Sequence, residues 1–586
     1  MVRRVGGVLV VSVALTLVAA ACSYNAQPTT VVHLANPGKC VAVDIAAAPA
    51  TASLLGDVAT RYNGSPAANL QSGGCAFVRI STVDSSVAMR ELVDNWPDAE
   101  RLGPPPVAWV PGSSMWGQLL DARLAAKHSP AIAPNGTPFA HSPLVIAMPA
   151  PMATALDYPH RAIGWRDLEQ LAHDPRGWAA YGHPEWGPFR LGKGNPNWST
   201  TGLDQTVALD ASPAAGGNPS LLEQSVVYYS DTTQVYFDNW QRLAAKNTKS
   251  ALTYLSAAIT DERSVVAYDT GHAQADVALD GHATRPTVPL VAIYPKDASI
   301  ESDNPIIVLR ASWASAAARA GARSFTKFAL QPAAQAKVAA AGYRPARGTE
   351  PTKLLTPGNG VDPKARSTAV APSSPAAIEQ ALAHWAADRR PAQLLFLFDL
   401  SDSMGDPADP AKPHGPTKID LARRALTDAL DQLGPTDDVG LRTFTTKVTN
   451  SASPNWHDVV ASGPLSERQT ALQQAIAALT PAQGSPLYAA TRDAFDQVAR
   501  HVDPRGINGV VLLTDGYNED DHDTDLDALL THLGANPSVH VFTITYSNDA
   551  DAATLRRIAQ ATDAWNFDAR DTSDLAEVLP RALASF

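Results

Sequence analysis

An α/β architecture in two successive modules is what this sequence predicts, and three observations carry it. At 586 residues the chain exceeds what one hydrophobic core supports, so two or three domains are expected. Short apolar runs alternate with helical patterns through both halves, the signature of strands and crossover helices in mainly parallel sheets. Two runs, 394–398 and 510–513, are apolar at every position, which suits central strands covered on both faces.

Composition narrows the function classes. Hydrophobic residues make up 45% and charged residues 18%, as in a soluble globular protein rather than a disordered or multi-span membrane one. A formal net charge of -12 argues against a nucleic-acid partner, because a phosphate backbone needs a basic face to release its counterions.

The first residues read as an export signal. Arg3 and Arg4 precede an apolar stretch over 5–21, which ends in Ala19-Ala20-Ala21 directly before Cys22. This pattern resembles the lipobox of bacterial lipoproteins, with Ala19 where that family usually carries Leu. The resemblance implies that Cys22 becomes the first mature residue and is diacylated, anchoring the chain to the outer face of the cytoplasmic membrane. An ordinary secretory signal is the alternative. With Cys22 lipidated, Cys40 and Cys75 remain as an even pair in an oxidising compartment. Each opens an apolar or alternating run, and neighbouring parallel strands would bring them within bridging distance. A disulfide is expected; two buried free thiols are the alternative.

After residues 1–22 and a polar tether over 23–36, the first module spans 37–351. Strands are expected over 41–47, 76–83, 107–110, 144–148 and 290–294, and helices over 51–62, 85–96 and 314–341. Residues 352–375 are rich in turn formers and read as a linker. The second module, 376–586, opens with a helix over 376–387. Strands follow over 394–400, 439–444, 509–514 and 539–546, with helices over 418–433, 487–502, 526–533 and 553–562.

The run at 394–398 ends in Asp399-Leu-Ser401-Asp-Ser403, so acidic and hydroxyl groups alternate at a strand's carboxyl end, where open α/β sheets bind ligands. The second run ends in Thr514-Asp515-Gly516, and between them Gly484-Ser485-Pro-Leu opens a helix. Together these resemble the metal-dependent adhesion site of the von Willebrand factor A family, over about 392–586. The resemblance implies a Rossmann-like domain, a central mostly parallel sheet flanked by helices. It also implies Mg²⁺ (or Mn²⁺ or Ca²⁺) held by Ser401, Ser403 and Ser485, with Asp399 and Asp515 acting mainly through water. The ion's open position would then attract a carboxylate from a protein partner. Ser485 stands where the family usually has Thr. Nearby, Asp521, Asp523 and Asp525 match the opening of a calcium loop, but Leu526 and His532 occupy the positions of its glycine and closing glutamate. An acidic helix N-terminus is the expected role.

In the first module, Arg190-Leu-Gly-Lys193-Gly-Asn-Pro-Asn-Trp leads into Ser199, Thr200 and Thr201 at a helix start, an uncharged anion cradle. With Trp109-Val-Pro-Gly-Ser113-Ser114-Met-Trp116 and Ser302-Asp-Asn-Pro305, it resembles the extracellular solute-binding family related to molybdate and sulfate receptors. That implies two periplasmic-binding-protein-like α/β lobes closing on a small solute, with Ser113, Ser114, Ser199, Thr200 and Thr201 in the cleft. Helix caps in a scaffold without a ligand are the alternative. Ala46-Ala-Ala-Pro stands where the family usually places a hydroxyl, and Lys193 reads as a source of charge or as a loop lysine.

The favoured reading is a lipid-anchored binding protein that captures a partner through Mg²⁺; a solute receptor for an ABC-type transporter is the alternative. An enzyme is not expected. The chain lacks Gly-x-Ser-x-Gly and His-Glu-x-x-His motifs, and His414 and His522 lie in predicted loops.

Overall fold

The computed structural model describes residues 34–586 except 72, 212–218, 273–283, 349–352, 366–369, 371–373 and 447–454. The leader with Cys22, and most of the tether, lie outside the described residues. No helix among the described residues is long and apolar enough to cross a membrane.

The first module contains β1 Val41–Ala47, β2 Ala76–Thr82, β3 Ala108–Val110, β4 Thr137–Pro138, β5 Ala140–Pro149, β6 Leu191–Gly194, β7 Val226–Ser230, β8 Ala257–Asp261, β9 Leu290–Ile293, β10 Glu301–Ser302, β11 Pro305–Val308 and β12 Arg344–Pro345. They form two sheets. One has the order β2-β1-β3-β11-β4; the other runs β10-β5-β8-β6-β7, with β9 and β12 also pairing β5. The chain crosses between the sheets at β4 to β5, returns at β10 to β11, and crosses again to reach β12. Two lobes joined by several crossings result. The parallel register Val41↔Ala76 places Cys40 beside Cys75, and the two form a disulfide with a Cα separation of 4.6 Å.

The second module is a six-stranded sheet of β13 Ala392–Asp399, β14 Asp438–Phe444, β15 Trp456–Pro464, β16 Ile507–Thr514, β17 Val539–Tyr546 and β18 Asn566–Ala569, in the order β15-β14-β13-β16-β17-β18. All pairings are parallel except that of the edge strand β15. The two all-apolar runs are its central neighbours β13 and β16, buried on both faces as their composition requires.

Several expectations need correction. The helix expected over 314–341 is two helices, Ala316–Ala329 and Pro332–Ala340. Pro332 forces Gln331 into extended backbone, so the first helix cannot continue through it. The first module's sheets are mixed rather than parallel, since β11 runs antiparallel to β3, and β5 to both β8 and β9. Residues 191–194, though rich in turn formers, are strand β6: Gly192 and Gly194 leave room for Tyr236 and Ser199 to pack directly on the backbone. The described part of the 352–375 linker packs on the first module: Leu355 and Val361 are buried, and the Gly360 carbonyl accepts from Ala292 N in β9.

The modules share an interface. Tyr228 of β7 meets His540, Phe542 and Trp565 edge-on, with ring centroids 4.9, 6.0 and 5.0 Å away, and its hydroxyl donates to the Asp563 carbonyl. The helix Pro375–Asp388 buries Ile378, Ala381 and Leu382 against the first lobe's core and sets Trp385 against Tyr229.

Candidate functional site

The second module brings together every residue of the sequence-derived acidic and hydroxyl cluster. β13 delivers Asp399 and the turn after it Ser401 and Ser403; β16 delivers Asp515; Ser485 lies just before the helix Leu487–Arg500. Asp399 and Asp515 are fully buried. Ser403 Oγ and Ser401 Oγ both donate to Asp515 Oδ1, at 2.9 and 3.2 Å, and Ser485 Oγ donates to Asp399 Oδ2 at 3.1 Å. Asp399 also accepts from Thr514 Oγ1 and from Ser401 N. Burial, reinforced by the charge of Asp515, pushes the Asp399 carboxyl up to about 7 against the pull of these donors. Lys418, at the head of the helix Lys418–Ala429, donates from Nζ to Asp515 Oδ2 at 2.8 Å and to Asp549 at 3.2 Å.

Among the described residues, no three His, Cys, Asp or Glu side chains converge to hold a metal. The cluster instead offers two buried carboxylates and three hydroxyls, an all-oxygen donor set of the kind a hard divalent cation takes. The neighbouring acidic loop is tied to the fold. Asp523 pairs with Arg492, the Asn518 side chain donates to the Asp523 carbonyl, and Asp525 caps the helix Leu526–Leu533. His414 and His522 are exposed.

The five hydroxyls of the first module are engaged within the protein. Ser113 caps the helix Ser114–Ala126, and Ser114 donates to Asp303. Ser199 Oγ accepts from Gly202 N and lies 3.2 Å from Thr201 Oγ1. Thr200 Oγ1 accepts from Trp116 Nε1 at 3.0 Å, a bond from one lobe to the other. The lobes are in contact there, since a Cβ on Gly112 would lie 2.8 Å from Thr200 Oγ1. Lys193 is neither a loop lysine nor a free charge: it is buried in β6 and paired with Glu223.

Residues 43–344, just over half of the chain, match the bacterial extracellular solute-binding protein family. The chain belongs to that family. Its second module, residues 393–581, matches the von Willebrand factor type A (VWA) domain. Two uncharacterized proteins of Mycobacterium tuberculosis, from strains CDC 1551 / Oshkosh and ATCC 25618 / H37Rv, are each 22% identical over 567 residues, covering 91% of this chain and 75% of theirs. Among solved structures, von Willebrand factor type A from Catenulispora acidiphila is 21% identical, with a TM-score of 0.27, over 34% of this chain and 42% of that one. The PilB minor pilin of Streptococcus sanguinis is 15% identical, with a TM-score of 0.26, over 32% and 60%. The VWA assignment rests on the family match and not on these structures.

Three polar residues of the VWA cluster escaped the sequence. Thr514 directly precedes Asp515, and a hydroxyl ending a buried apolar strand was the available signal. Lys418 and Asp549 approach from 97 and 34 residues away along the chain, with no local pattern to mark them. In the solute-binding module Asp204 was missed. It is fully buried at the closed cleft, accepts from Ser302 Oγ at 2.8 Å, and is pushed up to about 7 by burial.

Proposed function

We propose that this chain is a membrane-anchored extracytoplasmic binding protein whose VWA domain captures a protein partner in a Mg²⁺-dependent manner. The observation that carries the reading is the convergence of Asp399, Ser401, Ser403, Ser485 and Asp515, from three separate segments, at the carboxyl ends of the central strands β13 and β16. VWA domains commonly bind a divalent metal at this place, and the donor set fits one. Ser401, Ser403 and Ser485 would hold the ion directly, while Asp399 and Asp515 orient the hydroxyls through the hydrogen bonds already described. When bound, the ion supplies a Lewis-acidic position for a partner carboxylate. Two residues beyond Asp515, Tyr517 is 58% exposed, and its ring offers a partner an aromatic contact next to the cluster.

Solute-binding and VWA domains typically serve binding rather than catalysis, and the chain's role is read accordingly. Anchoring would come from acylation of Cys22, tested by lipid labelling of wild type against Cys22→Ser. The capture experiment compares wild type with Asp399→Ala on envelope extract, each in Mg²⁺ and in EDTA. A protein retained only by wild type in Mg²⁺ supports the reading; equal retention in all four conditions, or none, overturns it.

Family membership of residues 43–344 favours a second reading, receptor for a small anionic solute delivered to an ABC-type permease. Against it stand the cradle hydroxyls already engaged by Gly202 and Trp116. Calorimetric titration with sulfate and molybdate separates the two: saturable heat lost in Thr200→Val restores the receptor reading.

A further inference from the structure

The first lobe carries a concave pocket of about 510 Å³ at its outer sheet edge, away from the closed cleft. One wall is the helix Ala316–Ala329; the other is β11 and the edge strand β4. Arg319, Arg323 and Lys327 recur every four residues along that helix and all line the pocket, with Arg310 facing them from the end of β11. No carboxylate lines it.

Among the described residues none of the four forms an ion pair; the Arg319 guanidinium donates only to the Ala314 carbonyl. Arg310 feels Asp121, but that carboxylate already accepts from the Ile132 and Ala133 amides. Like charges four residues apart on a helix repel, and here two such pairs are stacked with no acid between them. On a chain of net charge -12, four cations without an ion pair around one concavity form a local positive field. Thr137 and Asn135 add neutral hydrogen-bonding groups to the lining. The volume falls in the range of small-ligand sites, about 300–1,000 Å³.

We infer that this pocket binds a phosphate-bearing anion. Guanidinium groups match phosphate oxygens in bidentate fashion, and the ligand's charge would offset the repulsion along the helix. The pocket's position suggests where such a group would come from. β11 runs antiparallel to β3, so Arg310 lies at the end of the sheet where β1 to β3 begin, the end at which the chain enters through Cys40. If Cys22 is lipidated, as proposed above, the anchor joins the lobe at that end, within reach of anionic headgroups. A soluble phosphate compound is the other source of the same chemistry.

The test uses the chain from residue 23 onward, which retains every described residue and carries no acyl group, so its outcome does not depend on the anchor. Binding is measured by flotation with vesicles of phosphatidylcholine alone or mixed in equal parts with phosphatidylglycerol, and by titration with inorganic phosphate. Arg319→Gln/Arg323→Gln is compared with Arg166→Gln/Arg424→Gln, which removes the same charge from exposed sites elsewhere. Binding to phosphatidylglycerol vesicles that falls about fivefold per pocket charge removed, and is unchanged in the control pair, supports the site with a lipid source. Saturable phosphate binding lost only in the pocket pair, with no vesicle preference, supports it with a soluble source. Equal losses in both pairs, or binding to neither probe, overturns it.

Discussion

Arg581, in the last helix of the VWA domain (Leu575–Leu583), forms an ion pair with Asp84 at the end of the loop after β2, in the first lobe of the solute-binding module. Its other terminal nitrogen lies 3.6 Å from Asp231, which follows β7 in the second lobe, and Glu577 completes the group. A single guanidinium from one module thus ties together both lobes of the other. The Asp231 side chain is only 8% exposed, and burial pushes its carboxyl up to about 6 even with Arg581 present. Arg581→Ala is expected to lower stability by roughly 2–4 kcal/mol, since it strands a buried carboxylate. Small-angle scattering should show a larger radius of gyration in the variant. Unchanged melting and scattering would mean that direct contacts between the lobes, such as Trp116–Thr200 and Arg90–Trp198, hold them without Arg581.

The part of this arrangement that sequence made legible is the part with local pattern. The apolar runs of β13 and β16, and the hydroxyls and aspartates beyond them, needed only periodicity and strand-end chemistry. The Cys40–Cys75 pairing followed from two strand starts. What was not legible depends on approach between distant segments. Lys193 looks like a loop lysine until Glu223 and Trp385 enclose it, and the cradle hydroxyls look free until Trp116 arrives from the other lobe. Gly192 and Gly194 read as turn because glycine is the usual turn residue; here it is needed for close packing in a strand.

The disulfide closes a loop with a sequence separation of 35 between β1 and β2. Loop-closure entropy puts its contribution at about 3–4 kcal/mol. Cys40→Ser/Cys75→Ser should therefore melt earlier in the solute-binding module while the VWA sheet keeps its own hydrogen-exchange protection. A single uniform loss of protection across both modules would show that they unfold as one unit.

On the proposed reading, Lys418 would compete with a cation at the Asp399–Asp515 cluster, because its ammonium already pairs with Asp515. Lys418→Met is expected to melt earlier without divalent ions, since a buried carboxylate is left unpaired. It should also bind Mg²⁺ about tenfold more tightly, a gain of roughly 1.4 kcal/mol. The check is the melting temperature across a Mg²⁺ titration, where the variant should show the larger upward shift. Absence of any Mg²⁺ effect in both proteins would sink the metal reading.

Tyr517 is the most exposed of the large apolar side chains among the described residues. Tyr517→Ala should weaken partner capture at least about tenfold, the loss expected when an aromatic anchor is removed. Its melting temperature should stay unchanged, because the ring packs on little of its own fold. Undiminished capture would move the partner's footprint away from this loop.

His540 is expected to make the interface between the modules sensitive to acid. It lies buried on β17 against the Tyr228 ring, and its Nδ1 hydrogen-bonds the Thr562 carbonyl at 2.8 Å. Burial pushes its value down from 6.5 to about 4, with Arg190 and Arg390 adding repulsion, while the bond to Thr562 opposes the shift. In the unfolded chain the imidazole takes a proton as pH falls below about 6.5; in the folded chain it stays neutral until about 4. The unfolded state therefore binds more protons within that window, so stability falls as pH falls through it. The span of the shift makes this loss about 3 kcal/mol by pH 4. His540→Gln keeps an N–H for Thr562 but does not titrate. Measured by denaturant unfolding, its stability relative to wild type should rise by about that amount between pH 7 and pH 4. A constant difference across the window would show that the histidine is solvated and that the Tyr228 contact does not shield it.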